Sequence, residues 1–170
     1  MRFMPTRYPC SFKTRFGIFQ LWATSQGLYS LEFGRLGRRK ESSLAPHRIR
    51  KLLKRGAREI RSYLYGRKPA FDSLPVDWAG YGAFERGVLK ALRKIQWGQT
   101  STYKNLAVHA GKPRTQRYVG RILHLNRLPL ILPCHRIVLK AGGLGGFSKG
   151  LGWKRRLLKL EGARVDTKLR

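Results

Sequence analysis

Residues 132–138 read LPCHRIV. One of the chain's two cysteines stands here, followed at once by a histidine and an arginine and flanked by aliphatic residues. A cysteine that only fills a core needs no imidazole beside it, and a metal site needs more ligands than this stretch holds. A nucleophile needs a base or a positive charge that favours thiolate, the reactive form. Neighbours in a strand point to opposite faces, so Cys134 and His135 would be coupled through a local bend or a bridging water. The histidine would then want an acid to orient its far nitrogen, and Glu161 stands out in the otherwise basic segment that follows. On the dipeptide alone, an inert buried cysteine beside a surface histidine is the favoured reading, because single-residue motifs do not transfer between families.

Around this stretch lies a chain of 170 residues, suited to one domain or two small ones. With 42% hydrophobic residues it has enough apolar surface to bury a core. There are 37 Lys and Arg against 8 Asp and Glu, a formal net charge of +29. Nucleic acid is the favoured partner for such an excess, since release of counterions from phosphates drives binding; a ribosome-associated protein or a generally basic proteome is the alternative. Cys10 and Cys134 make at most one disulfide and no secreted framework. The N-terminal residues lack the apolar run of a signal peptide, and no stretch approaches a transmembrane span. An intracellular location, cytoplasmic or at the nucleus or nucleoid, and no membrane partner are expected.

Residues 16–23, FGIFQLWA, and the following LYSLEF flank a TSQG turn and predict a β-hairpin. Residues 34–46 read as a polar loop. Ile49, Leu52, Leu53, Ile60, Tyr63 and Leu64 recur at helical spacing over 47–65, with Gly66 placed to end the helix. The Pro- and Gly-containing residues 66–82 read as a linker. Beyond it, Phe84, Val88, Leu89, Leu92 and Ile95 share one helical face. Thr100 or Ser101 is the expected cap of a helix in TYKNLAVHA, stopped by Gly111. Pro113 is expected in the first turn of the next helix, RTQRYVGRILHL, which would complete a helix-turn-helix. The glycine-rich residues 141–152 lack a phosphate-loop signature. A last helix is expected in WKRRLLKLEG, with Trp153, Leu157, Leu158 and Leu160 partly buried. The fold class is α/β: a small N-terminal αβ domain with a β-hairpin (1–78), then a mostly helical domain with a helix-turn-helix (79–170).

LPCHRIV resembles the active-site signature of the O6-alkylguanine-DNA alkyltransferases, or methylated-DNA–protein-cysteine methyltransferases. FERGVLKALRKIQWGQTSTYKNLAVHAGKP is similar to that family's approach to its helix-turn-helix. RYVGRILHLNRLPLILPCHRIV is similar to its recognition helix, asparagine hinge and active-site loop, and GGLGGFSKGLGWKRRLLKLEG to its pocket loop and final helix. The resemblance implies direct, single-turnover repair: an alkyl group passes irreversibly from guanine O6 to the protein's own cysteine, with O4-alkylthymine a further candidate lesion. It implies Cys134 as acceptor, His135 as the group that takes the thiol proton, and Glu161 as the acid that orients the histidine. Tyr103 would help turn out the nucleotide and protonate the base, and Asn126 would brace the turns around the site. Ser148 and Phe147 would line the pocket. Arg117 would fill the gap left by the extruded base, with Arg114, Thr115, Gln116, Arg121 and Arg136 as further DNA-binding residues. A base inside a duplex cannot be attacked at O6, so extrusion is a physical necessity. The implied partner is the minor groove of double-stranded DNA and the implied state a monomer. No cofactor or metal is expected, because Cys10 and His47 alone do not make the four-ligand zinc site of some relatives.

Some positions depart from the family pattern. Tyr118 replaces a usual alanine, Thr115 and Gln116 replace residues that are often small, Arg127 follows the hinge asparagine where proline is common, Phe147 stands for tyrosine, and Lys149 for a frequent glycine. Two other readings compete with repair: a non-enzymatic lesion-binding protein, against which Cys134 argues, and a basic regulatory protein with a degenerate site.

Overall fold

The structure, a computed structural model, describes residues 5–34, 44–140 and 142–164. The chain divides into two compact units, Met1–Ala79 and Gly80–Arg170.

The first unit is a three-stranded antiparallel sheet covered by one helix. The expected hairpin is β2 (Gly17–Thr24) and β3 (Gly27–Gly34), and β1 (Tyr8–Thr14) pairs on the other side of β2, giving the order β1-β2-β3. The sequence reading missed β1. Pro9 is tolerated there because β1 is an edge strand. Phe12, Phe19 and Phe33 form a cross-strand stack, with ring centroids 5.9 and 4.9 Å apart. Against the sheet lies α1 (His47–Leu64), which buries Ile49, Leu53, Ile60, Tyr63 and Leu64 on one face. Its C-terminus is closed where expected, with the Gly66 and Arg67 amides donating to the Tyr63 and Ser62 carbonyls. Most of the loop expected at 34–46 lies outside the described residues.

The linker reading of 66–82 needs correction. Phe71, Leu74, Val76 and Asp77 are buried. Val76 bridges Leu28 in parallel, and Asp77 accepts a 2.6 Å hydrogen bond from the Thr24 hydroxyl. The prolines and glycines there shape a segment packed on β3.

The second unit is built from short elements: α2 (Ala83–Arg93), β4 (Ser101–Thr102), α3 (Tyr103–His109), α4 (Gln116–His124), β5 (Ile137–Val138) and α5 (Leu151–Leu160). The cap of α3 is Thr102, one residue beyond the two expected; its hydroxyl accepts the Asn105 amide at 3.2 Å. The next helix starts at Gln116, later than expected, so Pro113 precedes it. Arg114 sits in the turn with φ of 69°. A two-residue parallel ladder, Ser101 with Ile137 and Thr102 with Val138, ties the start of α3 to the chain just after Cys134. This ladder brings Tyr103 to the LPCHRIV segment from a distant part of the sequence.

Candidate active site

Cys134, His135 and Arg136 form one 3-10 turn, the local bend that lets adjacent residues serve one site. Asn126, just after α4, holds this turn from three directions. Its amide nitrogen donates to the Leu132 carbonyl (2.8 Å) and to the Cys134 sulfur (3.1 Å), and its oxygen accepts the Leu128 amide (3.0 Å). All of these groups are buried, so the asparagine is fully committed.

His135 Nε2 lies 2.8 Å from Glu161 Oε1, both side chains being buried. Glu161 sits at the end of α5, and Arg136 grips its two oxygens from Nε and a terminal nitrogen, each at 2.9 Å. The Gly98 amide donates to Oε2 at 3.3 Å. Gly98 has φ of +77°, and a Cβ there would stand 2.9 Å from the Glu161 carbonyl oxygen, so a side chain would push the acid away.

Burial of the Glu161 carboxyl alone would raise its pKa, but hydrogen bonds and charge from His135 and then Arg136 outweigh that and hold it at about 2. Burial lowers the pKa of His135, although Glu161 pulls the other way. A neutral imidazole facing a carboxylate must carry its proton on Nε2, which leaves Nδ1 as the basic nitrogen. Burial pushes the Cys134 thiol up to about 11, against the Asn126 hydrogen bond and the charge of Lys154. Burial thus favours the thiol at rest, and the site has to take its proton during the reaction.

A pocket of about 240 Å³ opens onto the sulfur, lined by Tyr103, Gly120, Leu123, His124, Cys134, Gly146, Phe147 and Ser148. Burial and then the charge of Cys134 raise the Tyr103 phenol, opposed by a backbone hydrogen bond at Gly146, so it remains a proton donor. Gly145, with φ of +65°, lets the pocket loop pass close to the phenol; a Cβ there would lie 3.2 Å from its oxygen. Phe147 meets the His135 ring edge-on, with centroids 6.3 Å apart.

Lys154 is the residue that sequence reasoning missed. It is fully buried on α5 and donates to the Ile137 carbonyl at 2.5 Å and the Gly146 carbonyl at 3.1 Å. It thus joins the chain after Cys134 to the pocket loop. Burial lowers its pKa to about 8, against the attraction of Cys134. Only its place among the apolar residues of α5 hinted at this, and a lysine in a basic helix reads as solvated.

The expected DNA-binding residues separate into two groups. Arg114, Gln116, Arg117 and Arg121 are exposed on α4 and the turn before it, while the half-buried Thr115 spends its hydroxyl on the Lys112 carbonyl at 2.7 Å. Arg136 is a correction: its guanidinium is buried against Glu161 and also donates to the Ile95 carbonyl, so it is unavailable to phosphate. Two departures from the family pattern acquire partners. Tyr118 stacks on Phe84 at 5.6 Å, and Arg127 lies over the Tyr81 ring at 4.3 Å.

The family model described as the DNA binding domain of 6-O-methylguanine DNA methyltransferase matches residues 83–163. The methylated-DNA–protein-cysteine methyltransferase of Methanosarcina barkeri is 37% identical over 146 residues, 85% of this chain and 90% of that protein. That of Methanosarcina acetivorans is 31% identical over 157 residues, 92% of this chain and 99% of that protein. Among solved structures, Mycobacterium tuberculosis OGT in complex with DNA superposes with a TM-score of 0.74 at 26% identity, covering 89% of this chain and 91% of that one. With the cysteine, histidine, glutamate and asparagine joined in one buried cluster and relatives matched along almost their whole length, the chain belongs to the methylated-DNA–protein-cysteine methyltransferase family.

Proposed function

We propose that the protein repairs DNA by moving an alkyl group from O6 of guanine to its own Cys134, once per molecule. The observation that carries this reading is the buried chain of contacts from the Cys134 turn through His135 to Glu161, on a pocket large enough for one base. Double-stranded DNA is the partner. Arg114, Gln116, Arg117 and Arg121 face it from the helix-turn-helix, and Arg117 takes the place of the extruded nucleotide. The acceptor and the DNA contacts belong to the second domain. Action on DNA implies an intracellular location; among the described residues no helix is long and apolar enough to cross a membrane.

The chemistry follows from the protonation states. As the thiol approaches the alkyl carbon, Nδ1 of His135 accepts its proton, through water where the two do not touch. The Glu161 carboxylate stabilises the resulting imidazolium, and the Arg136 pair keeps that carboxylate ionised and in line. The sulfur–carbon bond forms as the carbon–O6 bond breaks. The departing guanine takes a proton from the Tyr103 phenol, and solvent returns the imidazolium's proton to the phenolate. The net change is one thiol proton exchanged for one alkyl group. The product is a thioether with no leaving tendency, so the site does not regenerate. Asn126 and Lys154 offset the cost of forming a thiolate in a buried site.

Intact-mass measurement after incubation with duplex containing O6-methylguanine tests this. One added methyl per chain, with no turnover when DNA is in excess, is expected. Unmodified protein that still binds the lesion would support the non-enzymatic reading instead.

A further inference from the structure

The positive charge is not confined to the half of the chain that matches the family's DNA-binding domain. Residues 1–79 carry 17 Lys and Arg against 5 Asp and Glu, a net of +12, and residues 80–170 carry 20 against 3, a net of +17. Much of the first unit's share is on α1. Arg48, Arg50, Lys51, Lys54, Arg55, Arg58 and Arg61 are all exposed, and Glu59 is the helix's one acidic residue. At 100° per residue these cations occupy an arc of about 160° centred opposite the buried face of Ile49, Leu53 and Ile60.

Among the described residues little neutralises this arc. Glu59 lies 3.7 Å from the exposed Arg58 and accepts the Ala70 amide. Arg55 donates to the Ser73 hydroxyl, and Arg61 to the Lys13 carbonyl while lying over the Phe12 ring. Among the described residues no carboxylate is within ion-pair distance of Arg50, Lys51 or Lys54. Like charges spaced three and four residues apart destabilise a helix by a few tenths of a kcal/mol per pair. The helix keeps its form through its apolar face, and the cations gain nothing from one another. A rigid row of cations, rising about 1.5 Å per residue along the axis, is a fit for one chemistry in particular, the regularly spaced phosphates of a nucleic acid backbone.

We infer that the exposed face of α1 is a second nucleic-acid contact surface, binding duplex phosphates without reading sequence and separately from the helix-turn-helix. It would add nonspecific affinity, which a protein searching for rare lesions uses. The inference does not depend on alkyl transfer, because its test uses undamaged DNA.

The variant is Arg50→Gln, Lys51→Gln, Lys54→Gln and Arg58→Gln together, four exposed side chains without a buried partner. Its control removes the same charge elsewhere on the first unit: Lys13→Gln, Arg15→Gln, Arg67→Gln and Lys68→Gln. Binding of a short undamaged duplex is titrated over a range of salt. If the four α1 cations meet two to four phosphates, the slope of log affinity against log salt should shrink by roughly 2 to 4 for the α1 variant and by clearly less for the control. Acetic anhydride labelling of the unaltered protein gives a second reading: duplex should protect Lys51 and Lys54 more than Lys13 and Lys68. Equal slope changes in the two variants would mean that α1 contributes only to the general field, and would overturn the inference. So would unprotected Lys51 and Lys54. Circular dichroism and melting of each variant establish that it is folded before it is titrated.

Discussion

Both units bury an apolar core, and they differ in the charge buried with it. The first buries aromatic and aliphatic side chains between one sheet and one helix, and among its described residues Asp77 is the one buried charged side chain. The second buries His135, Arg136, Lys154 and Glu161 close to one another, at the ends of short elements. In the first, each residue contributes through area removed from water, and a truncation costs in proportion to what is cut away. In the charged cluster of the second, each group satisfies another, and cutting one leaves its neighbour charged and uncompensated. A core of the first kind specifies a shape. A cluster of the second kind specifies protonation states, which alkyl transfer requires.

The largest effect that sharpens this contrast separates the two cysteines, one in each unit. Cys10 is buried in β1 among apolar residues, while Cys134 bears a polar hydrogen bond and faces the pocket. Cys134→Ser should abolish alkyl transfer, and Cys10→Ser should leave it intact, with peptide mapping finding the added methyl on Cys134. Methyl on Cys10 would break the assignment.

Next in size is a matched pair of truncations. Glu161→Gln leaves the Arg136 guanidinium buried without its counter-charge and should cost about 3–5 kcal/mol, together with most of the transfer rate. Ile60→Ala, fully buried on α1, should cost about 2–5 kcal/mol while the surviving folded protein reacts normally. Chemical denaturation and single-turnover rates with free O6-benzylguanine read both. The pH dependence of stability should divide them as well. Glu161 is held at about 2, below its ordinary value of 4.5, so its contribution is fully present above pH 4.5 and is lost as pH falls through 2. By linkage the unaltered protein should lose about 3 kcal/mol over that window, a loss absent in Glu161→Gln.

A smaller effect is expected at Lys154. Its ammonium favours the thiolate of Cys134, so Lys154→Met should raise the thiol further and move the pH profile of iodoacetamide labelling upward. The thiolate in turn favours the lysine's charge against its burial, so the two groups ionise as a coupled pair. An unchanged labelling profile in Lys154→Met would reduce the lysine to a brace between the Ile137 and Gly146 carbonyls.

What the sequence disclosed follows the same division. The helical period of 47–65 and the TSQG turn announced α1 and the hairpin, because a face of apolar side chains is written into spacing. The alternation Cys10, Phe12, Thr14 was available for β1 but was masked by its proline and its basic surroundings. Val76 was misread because its pairing with Leu28 depends on chain distant in sequence. In the second unit, Cys134, His135 and Glu161 could be picked out by residue chemistry but were favoured as a site only through the family resemblance, which alone pointed to Asn126 and Tyr103. Lys154, the true disposition of Arg136 and the two-residue ladder from Ser101 to Val138 were not legible: each exists through partners too far away, or elements too short, to leave a pattern.

The smallest effect concerns the hinge residue Arg127, where family members often have proline. Its backbone N–H, which a proline would lack, donates to the Tyr81 hydroxyl at 3.1 Å, and its guanidinium lies over the same ring at 4.3 Å. Tyr81 therefore holds from outside the residue next to Asn126, whose amide holds the Cys134 sulfur from inside. Tyr81→Phe keeps the ring and the cation–π contact and removes only the hydroxyl, so it should cost about 1 kcal/mol of stability and slow alkyl transfer modestly. The decisive comparison is made in an Arg127→Pro background. With no N–H left to donate, removing the hydroxyl should cost almost nothing further, and the two substitutions should be strongly non-additive in both melting and transfer rate. If Tyr81→Phe costs as much in the Arg127→Pro background as in the unaltered chain, the phenol acts through some other contact than the Arg127 amide.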